Sequence, residues 1–192
     1  ESRTPTIGDL RPGGSGVSLT HVYGGVVYKT KVKNCKLHGI DVSNGGEKDG
    51  INDRNYSNGG NTHYPSNPSR FNYVLENEVR NCGDDAITTH FSYYTWIGGN
   101  RCYDAGGRLI SAATTQATPS NGIEIDDGTL YCWVYNNYVT TGNAGYVAKC
   151  HDTYPAAGHV YFDSNIADSC ARGFYLNDPN AGGRSDSAKD VR

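Results

Sequence analysis

The sequence predicts an all-β solenoid, a chain of short strands that coils and stacks on itself. Three observations carry this. Runs rich in Val, Ile, Tyr and Thr recur along the chain, divided by Gly or Asn. No stretch sustains a helical period with caps. The line N-x-V-x-x-C-G-D-D-A-I from Asn77 returns as N-x-C-x-x-A-G-G-R-L-I from Asn100, 23 residues on, and Ile87 and Ile110 are also 23 residues apart. Periods of that length mark stacked repeats that share one core.

Taken in order, residues 1–16 are rich in Pro, Gly and Ser and read as a loop or N-terminal arm. From residue 17 to 192 the reading is one β-helical domain. Its repeats are 26–42, 73–89, 95–111, 133–149 and 160–176. Each holds a strand, a polar corner, an apolar or Cys position, a Gly-rich corner and a second strand. Asn77, Asn100, Asn137 and Asn165 occupy similar corners, where stacked amides satisfy one another and the buried backbone. Alternation as in Ile40–Asp41–Val42 sends the apolar side chains inward and the middle one outward. The spacing expands twice, at 43–70 and at 111–132, the latter holding a further strand, GIEI. Long polar insertions at one level of a stack commonly build a binding face.

Composition bounds the rest. The chain has 192 residues, a net charge of −3 and no run of like charge, which argues against nucleic acid or a membrane surface as partner. No apolar run reaches the roughly 18 residues of a membrane span. A chain with no Met that starts at Glu1 reads as a mature chain or a piece of a longer one. No C-x-x-C occurs among the six cysteines, so a zinc site is poorly supported. Cys35, Cys82 and Cys170 hold matching repeat positions and read as small buried core residues.

The lines N-E-V-R-N-C-G-D-D-A-I and N-G-I-E-I resemble the right-handed parallel β-helix of the pectate-lyase and polygalacturonase superfamily. Within it the chain is most similar to the tail-spike and appendage proteins of bacteriophages, over roughly residues 17–178. That resemblance implies a homotrimer on a virion tail, or an extracellular protein. It also implies a depolymerase acting on a bacterial surface polymer: capsule, lipopolysaccharide or wall teichoic acid. The G-D-D of polygalacturonases, which supplies catalytic acids there, matches Gly83–Asp84–Asp85. The match stops at that motif: no G-H-G is present, and Arg108–Leu109–Ile110 lacks the lysine of the family's R-x-K.

If the strands after the Gly corners stack as one parallel sheet, Asp41, Thr88, His90, Glu124, Asp126 and Tyr146 point outward. Asp84 and Asp85 lie at the corner before their strand. Asp84, Asp85, Glu124 and Asp126 are the candidate catalytic acids, since glycoside hydrolysis needs two carboxyl groups. With RLIS (108–111) as the coil between them, their spacing suits an inverting pair. Asp41, His90, Arg108, Asp127, His63 and Tyr64 are the candidate substrate contacts. Arg108 suits an anionic group, and Arg108 or His90 gains weight if the polymer is a teichoic acid with phosphodiester bonds. The outward column reads as acidic, which favours hydrolysis over elimination by a basic side chain. No cofactor is required by this reading; Ca²⁺ is the alternative that pectate lyases suggest, though no D-x-D-x-D-G loop is present. The rival readings are a polysaccharide lyase, a receptor-binding shaft that grips without cleaving, and a purely structural shaft.

Overall fold

The computed structural model describes residues 14–44, 68–106, 120–140, 143–149, 156–177 and 189–191. These form seventeen strands and no helix. One sheet contains, in spatial order, β1 (Val17–Thr20), β4 (Ile40–Ser43), β7 (Ile87–His90), β10 (Ile123–Ile125), β13 (Ala144–Lys149) and β16 (Arg172–Asn177). A second contains β2 (Val26–Tyr28), β5 (Ser69–Leu75), β8 (Ser92–Gly98), β11 (Leu130–Tyr135), β14 (Gly158–Asp163) and β17 (Lys189–Val191). The third contains β3 (Lys31–Lys33), β6 (Glu78–Arg80), β9 (Arg101–Tyr103), β12 (Tyr138–Thr140) and β15 (Ile166–Asp168). The chain visits the three sheets in rotation, and every third strand pairs in parallel. This is a β-helix-like path.

The corners follow from backbone chemistry. Between the second and third sheets Lys29, Glu76, Gly99, Asn136 and Ser164 all take positive φ, between 50° and 66°. A left-handed residue turns the chain sharply; a non-glycine there costs about 1 kcal/mol, which recurrent packing offsets. The next residue is the ladder position. Asn77 Nδ2 donates to Asn100 Oδ1 (2.9 Å), Asn100 Nδ2 to Asn137 Oδ1 (3.0 Å), and Asn137 Nδ2 to Asn165 Oδ1 (3.0 Å). Each Asn also caps the neighbouring backbone: the Asn77 and Asn100 N–H groups donate to the amide oxygen of the next coil at 2.9 Å. The stacked amides expected at these corners are therefore present.

The entry into the first sheet is pinched. Gly39, Ala86 and Gly122 immediately precede β4, β7 and β10, and Gly145 is the second residue of β13. A Cβ on Gly39 would meet Val79 and the carbonyl oxygen of Ala86, the latter at 2.5 Å. Inward side chains fill the interior: Ile40, Ile87, Ile97, Ile123, Val74, Val79, Val134 and Val139 are fully buried, as are Cys82, Cys102 and Cys132. The described cysteines are free thiols.

Two details differ from the sequence reading. The strand after β7 in the first sheet is β10, with Ile87 opposite Ile123. RLIS is therefore not a coil between the two sets of acids, and the spacing argument for an inverting pair does not hold. Coil length varies instead: the ladder positions Asn77, Asn100, Asn137 and Asn165 are 23, 37 and 28 residues apart. Second, Tyr146 points inward. It sits opposite Ile123, is fully buried, and donates its hydroxyl to the Asn137 and Ile166 carbonyls at 2.8 and 3.0 Å. Val147 and Lys149 take the outward positions of β13.

The outer face of the second sheet carries two aromatic ladders. Tyr73, Trp96, Trp133 and Tyr161 stack at centroid spacings of 4.8, 4.9 and 5.8 Å. Phe71, Tyr94, Tyr131 and His159 stack at 5.0, 4.8 and 4.6 Å, each at a positive φ. Ring faces are spent on each other, so these aromatics turn edges, not faces, to solvent.

Candidate active site

The outer face of the first sheet is a grid, because parallel strands in register stack equivalent positions. At the corner stand His38 and Asp85 on successive coils, tied by the Gly39 N–H to the Asp85 carbonyl at 3.1 Å. The first outward column runs Asp41, Thr88, Glu124, from the pairing of Asp41 with Thr88 and Thr88 with Glu124. The second runs Ser43, His90, then Asp126, whose N–H donates to the Thr89 carbonyl at 3.0 Å. Lys149 follows on the next coil. Asp84, Asp85, Glu124, Asp126, His90 and Lys149 line one groove of about 470 Å³.

Polar contacts join the columns. Ser120 Oγ sits 2.7 Å from Asp84 Oδ1 and 2.6 Å from Asp85 Oδ1. The Asn121 N–H donates to Asp85 Oδ1 at 2.9 Å, and its side-chain amide donates to Glu124 Oε2. Lys149 Nζ lies 3.0 Å from Glu124 Oε1 and 3.5 Å from Asp126 Oδ2. His90 bridges two acids, Nδ1 to Asp41 Oδ1 at 3.4 Å and Nε2 to Asp126 Oδ2 at 3.5 Å. Asp127 donates its N–H to Asp126 Oδ1 at 2.8 Å, and its carbonyl accepts from the Phe91 N–H at 2.7 Å.

Burial and crowding set the charge states. Burial, then the neighbouring Asp84, raises the Asp85 carboxyl above its ordinary range, against the opposing pull of His38. Burial raises Glu124 well above its ordinary value, with Asp85 and Asp126 adding to it and Lys149 opposing. Burial pushes Lys149 down, but Asp126 and Glu124 outweigh it, so its net shift is upward and it stays an ammonium. A proton-holding carboxyl beside a fixed positive charge and further acids is the equipment of general acid–base chemistry.

The structure brings Asp84, Asp85, Glu124, Asp126, Asp127 and His90 to this groove. Asp41 stands behind His90 and meets the groove through it. Arg108, His63 and Tyr64 lie outside the described residues. Sequence reasoning missed Lys149, His38, Ser120 and Asn121. The signal for Lys149 is ambiguous in A-G-Y-V-A-K: Tyr146 and Val147 are both apolar, and alternation alone does not say which of them faces outward. With Lys149 in place the column is not purely acidic. His38 could have been found from register alone, since it precedes Gly39 as Asp85 precedes Ala86.

His38, Asp84 and Asp85 offer three metal-ligand atoms within 4.8 Å of one another. One imidazole nitrogen and two carboxylates do not make the shell of six to eight oxygens that Ca²⁺ takes, so these residues do not fit Ca²⁺.

Three parallel sheets visited in rotation, with a polar groove on one of them, define a β-helix-like protein. Its homologues are phage pre-neck appendage proteins. The chain is 33% identical over 148 residues to the pre-neck appendage protein of Bacillus phage B103, covering 77% of this chain and 15% of that protein. It is 30% identical over 172 residues to the phage-related protein YobO of Bacillus subtilis, covering 88% of this chain and 20% of that protein. The structure of pre-mature bacteriophage phi29 gene product 12 superimposes with a TM-score of 0.76 at 26% identity, over 92% of this chain and 22% of that one. The chain thus spans about a fifth or less of the length of these curated relatives. No family model matches it.

Proposed function

We propose that this chain is the polymer-engaging part of a phage tail appendage, a right-handed parallel β-helix that binds a bacterial surface polymer and hydrolyses it. The observation that carries the reading is the convergence of Asp84, Asp85, Glu124 and Asp126 on one groove of about 470 Å³. The homology to appendage proteins supports the setting: a virion, a homotrimer, and a capsule, lipopolysaccharide or wall teichoic acid as partner. Residues 17–192 are read as one β-helical unit. Glu124, raised by burial, donates the proton to the leaving oxygen. Asp126, which directly follows β10 and is held by His90 and Lys149, is the second carboxyl of the pair. Asp84, Asp85, Asp127 and His90 contact the polymer, with Asp41 orienting His90.

One observation favours a second reading, elimination. Lys149 Nζ sits 3.0 Å from Glu124 Oε1, so a cationic side chain stands in the groove, able to neutralise the uronate carboxylate whose α-proton an elimination removes. The test is a depolymerisation assay on purified teichoic acids, capsules and lipopolysaccharide with the parent chain, Glu124→Gln and Asp126→Asn. New reducing ends or phosphomonoester ends, lost in both variants, support hydrolysis. Ultraviolet-absorbing unsaturated ends transfer the site to elimination. Binding without shortening of any polymer reduces the chain to a receptor-binding shaft.

A further inference from the structure

The corner of the groove holds a second arrangement that the Glu124–Asp126 carboxyl pair does not use. His38 is 9% exposed, and its Nδ1 is buried with no hydrogen-bond partner. It aims at the two corner acids: Nδ1 is 3.6 Å from Asp85 Oδ2 and 4.0 Å from Asp84 Oδ2. Both distances exceed a hydrogen bond. They are the separations of ligands that share one ion. Two atoms each about 2.1 Å from a metal, subtending about 110–140°, lie roughly 3.4–4.0 Å apart.

The geometry points to a binding site for one divalent cation of borderline hardness, Mn²⁺ or Zn²⁺, held by His38 Nδ1, Asp84 Oδ2 and Asp85 Oδ2. An imidazole with carboxylates suits these ions and not Ca²⁺. The supports are built in. Ser120 Oγ engages the Oδ1 atom of each aspartate, which leaves both Oδ2 atoms turned toward His38, the orienting role of an outer partner. The corner backbone is rigid: Gly83 N and Asp84 N donate to the Leu37 carbonyl at 3.1 and 3.2 Å, and Gly39 N to the Asp85 carbonyl at 3.1 Å.

Three protein ligands leave the ion open to water or to an anionic group. Five carboxylates line this groove against one lysine, a wall that repels an anionic polymer unless positive charge is added. The cation supplies it at the corner, so the polymer class it suits carries phosphate or carboxylate groups. That last step rests on the polymer-binding reading; the ion site itself does not.

The test is Mn²⁺ titration of the 192-residue chain, followed by the loss of the free-ion electron paramagnetic resonance signal and by calorimetry. Mn²⁺ keeps the free thiols from dominating the signal. The expected result is one ion per chain, lost in His38→Gln and in Asp85→Asn, weakened roughly 10–100-fold in Ser120→Ala, and unchanged in Asp163→Asn on the second sheet. Mn²⁺ should raise the melting temperature of the parent and leave that of His38→Gln unmoved, which guards against a variant that merely fails to fold. No bound Mn²⁺ in the parent, or equal binding by His38→Gln, overturns the site. Polymer binding and shortening are followed separately. Mn²⁺ bound with no polymer engaged overturns the functional reading and leaves the site, and the reverse result does the opposite.

Discussion

At the scale of single residues, the groove separates the acids by environment. Glu124 and Asp85 are buried beside other carboxyl groups; Asp126 faces a lysine and a histidine. Glu124→Gln should cut polymer shortening by roughly 10²–10⁴, the range of a lost general acid, while retaining polymer binding in a pull-down assay. The raised carboxyls also set a pH dependence. A carboxyl whose folded pKa lies above its unfolded value contributes stability that is fully present below the ordinary carboxylate range, about 4. That contribution is lost as pH rises through the folded value. Asp85 and Glu124 both shift upward, so urea midpoints should fall as pH is raised from mildly acidic toward neutral and beyond. Glu124→Gln should flatten that fall; an unchanged slope would remove Glu124 as its source.

At the scale of elements, the ladder and the pinched corner carry the coil geometry. Asn100 is fully buried; its side chain accepts from the Asn77 N–H and side-chain amide and donates to the Val74 carbonyl and Asn137. Asn100→Ala strands several of these groups and should cost about 2–4 kcal/mol in denaturant unfolding. Asn165, only partly buried, should cost less. Gly39→Ala should cost about 1–3 kcal/mol by overpacking against Val79 and the Ala86 backbone. The ladder was legible in the sequence because Asn recurs at one repeat position. The register of β13 was not, because Tyr146 is long enough to reach the interior carbonyls of Asn137 and Ile166; a tyrosine reads as an outward residue until its hydroxyl's partners are known.

For the whole molecule, stacking coils makes one continuous interior in which the thiols are sealed. Burial raises the Cys102 and Cys132 thiols; the Cys82 thiol is raised first by a hydrogen bond with the Cys35 thiol, with burial adding. All three are fully buried, whereas Cys170 is partly exposed. Among the described cysteines, alkylation of the native chain followed by peptide mapping should label Cys170 before the others and leave Cys82, Cys102 and Cys132 unlabelled until global unfolding. Labelling of the core thiols at the same rate would mean that the coils open individually, as a quasi-one-dimensional stack permits.

The sequence by itself determined the all-β stack, the Asn ladder, the small residues at the corners and most of the acids in the groove. Those features are local and repeated, so a period of residues is enough to read them. Tertiary structure decided which coils are neighbours. Coil length is free to vary between 23 and 47 residues because inter-coil hydrogen bonds constrain only the strands, not the loops between them. Adjacency therefore had to be seen: β7 against β10, Lys149 beside Glu124, and His38 over Asp85. Each pair is remote in sequence, and strand register alone brings it together.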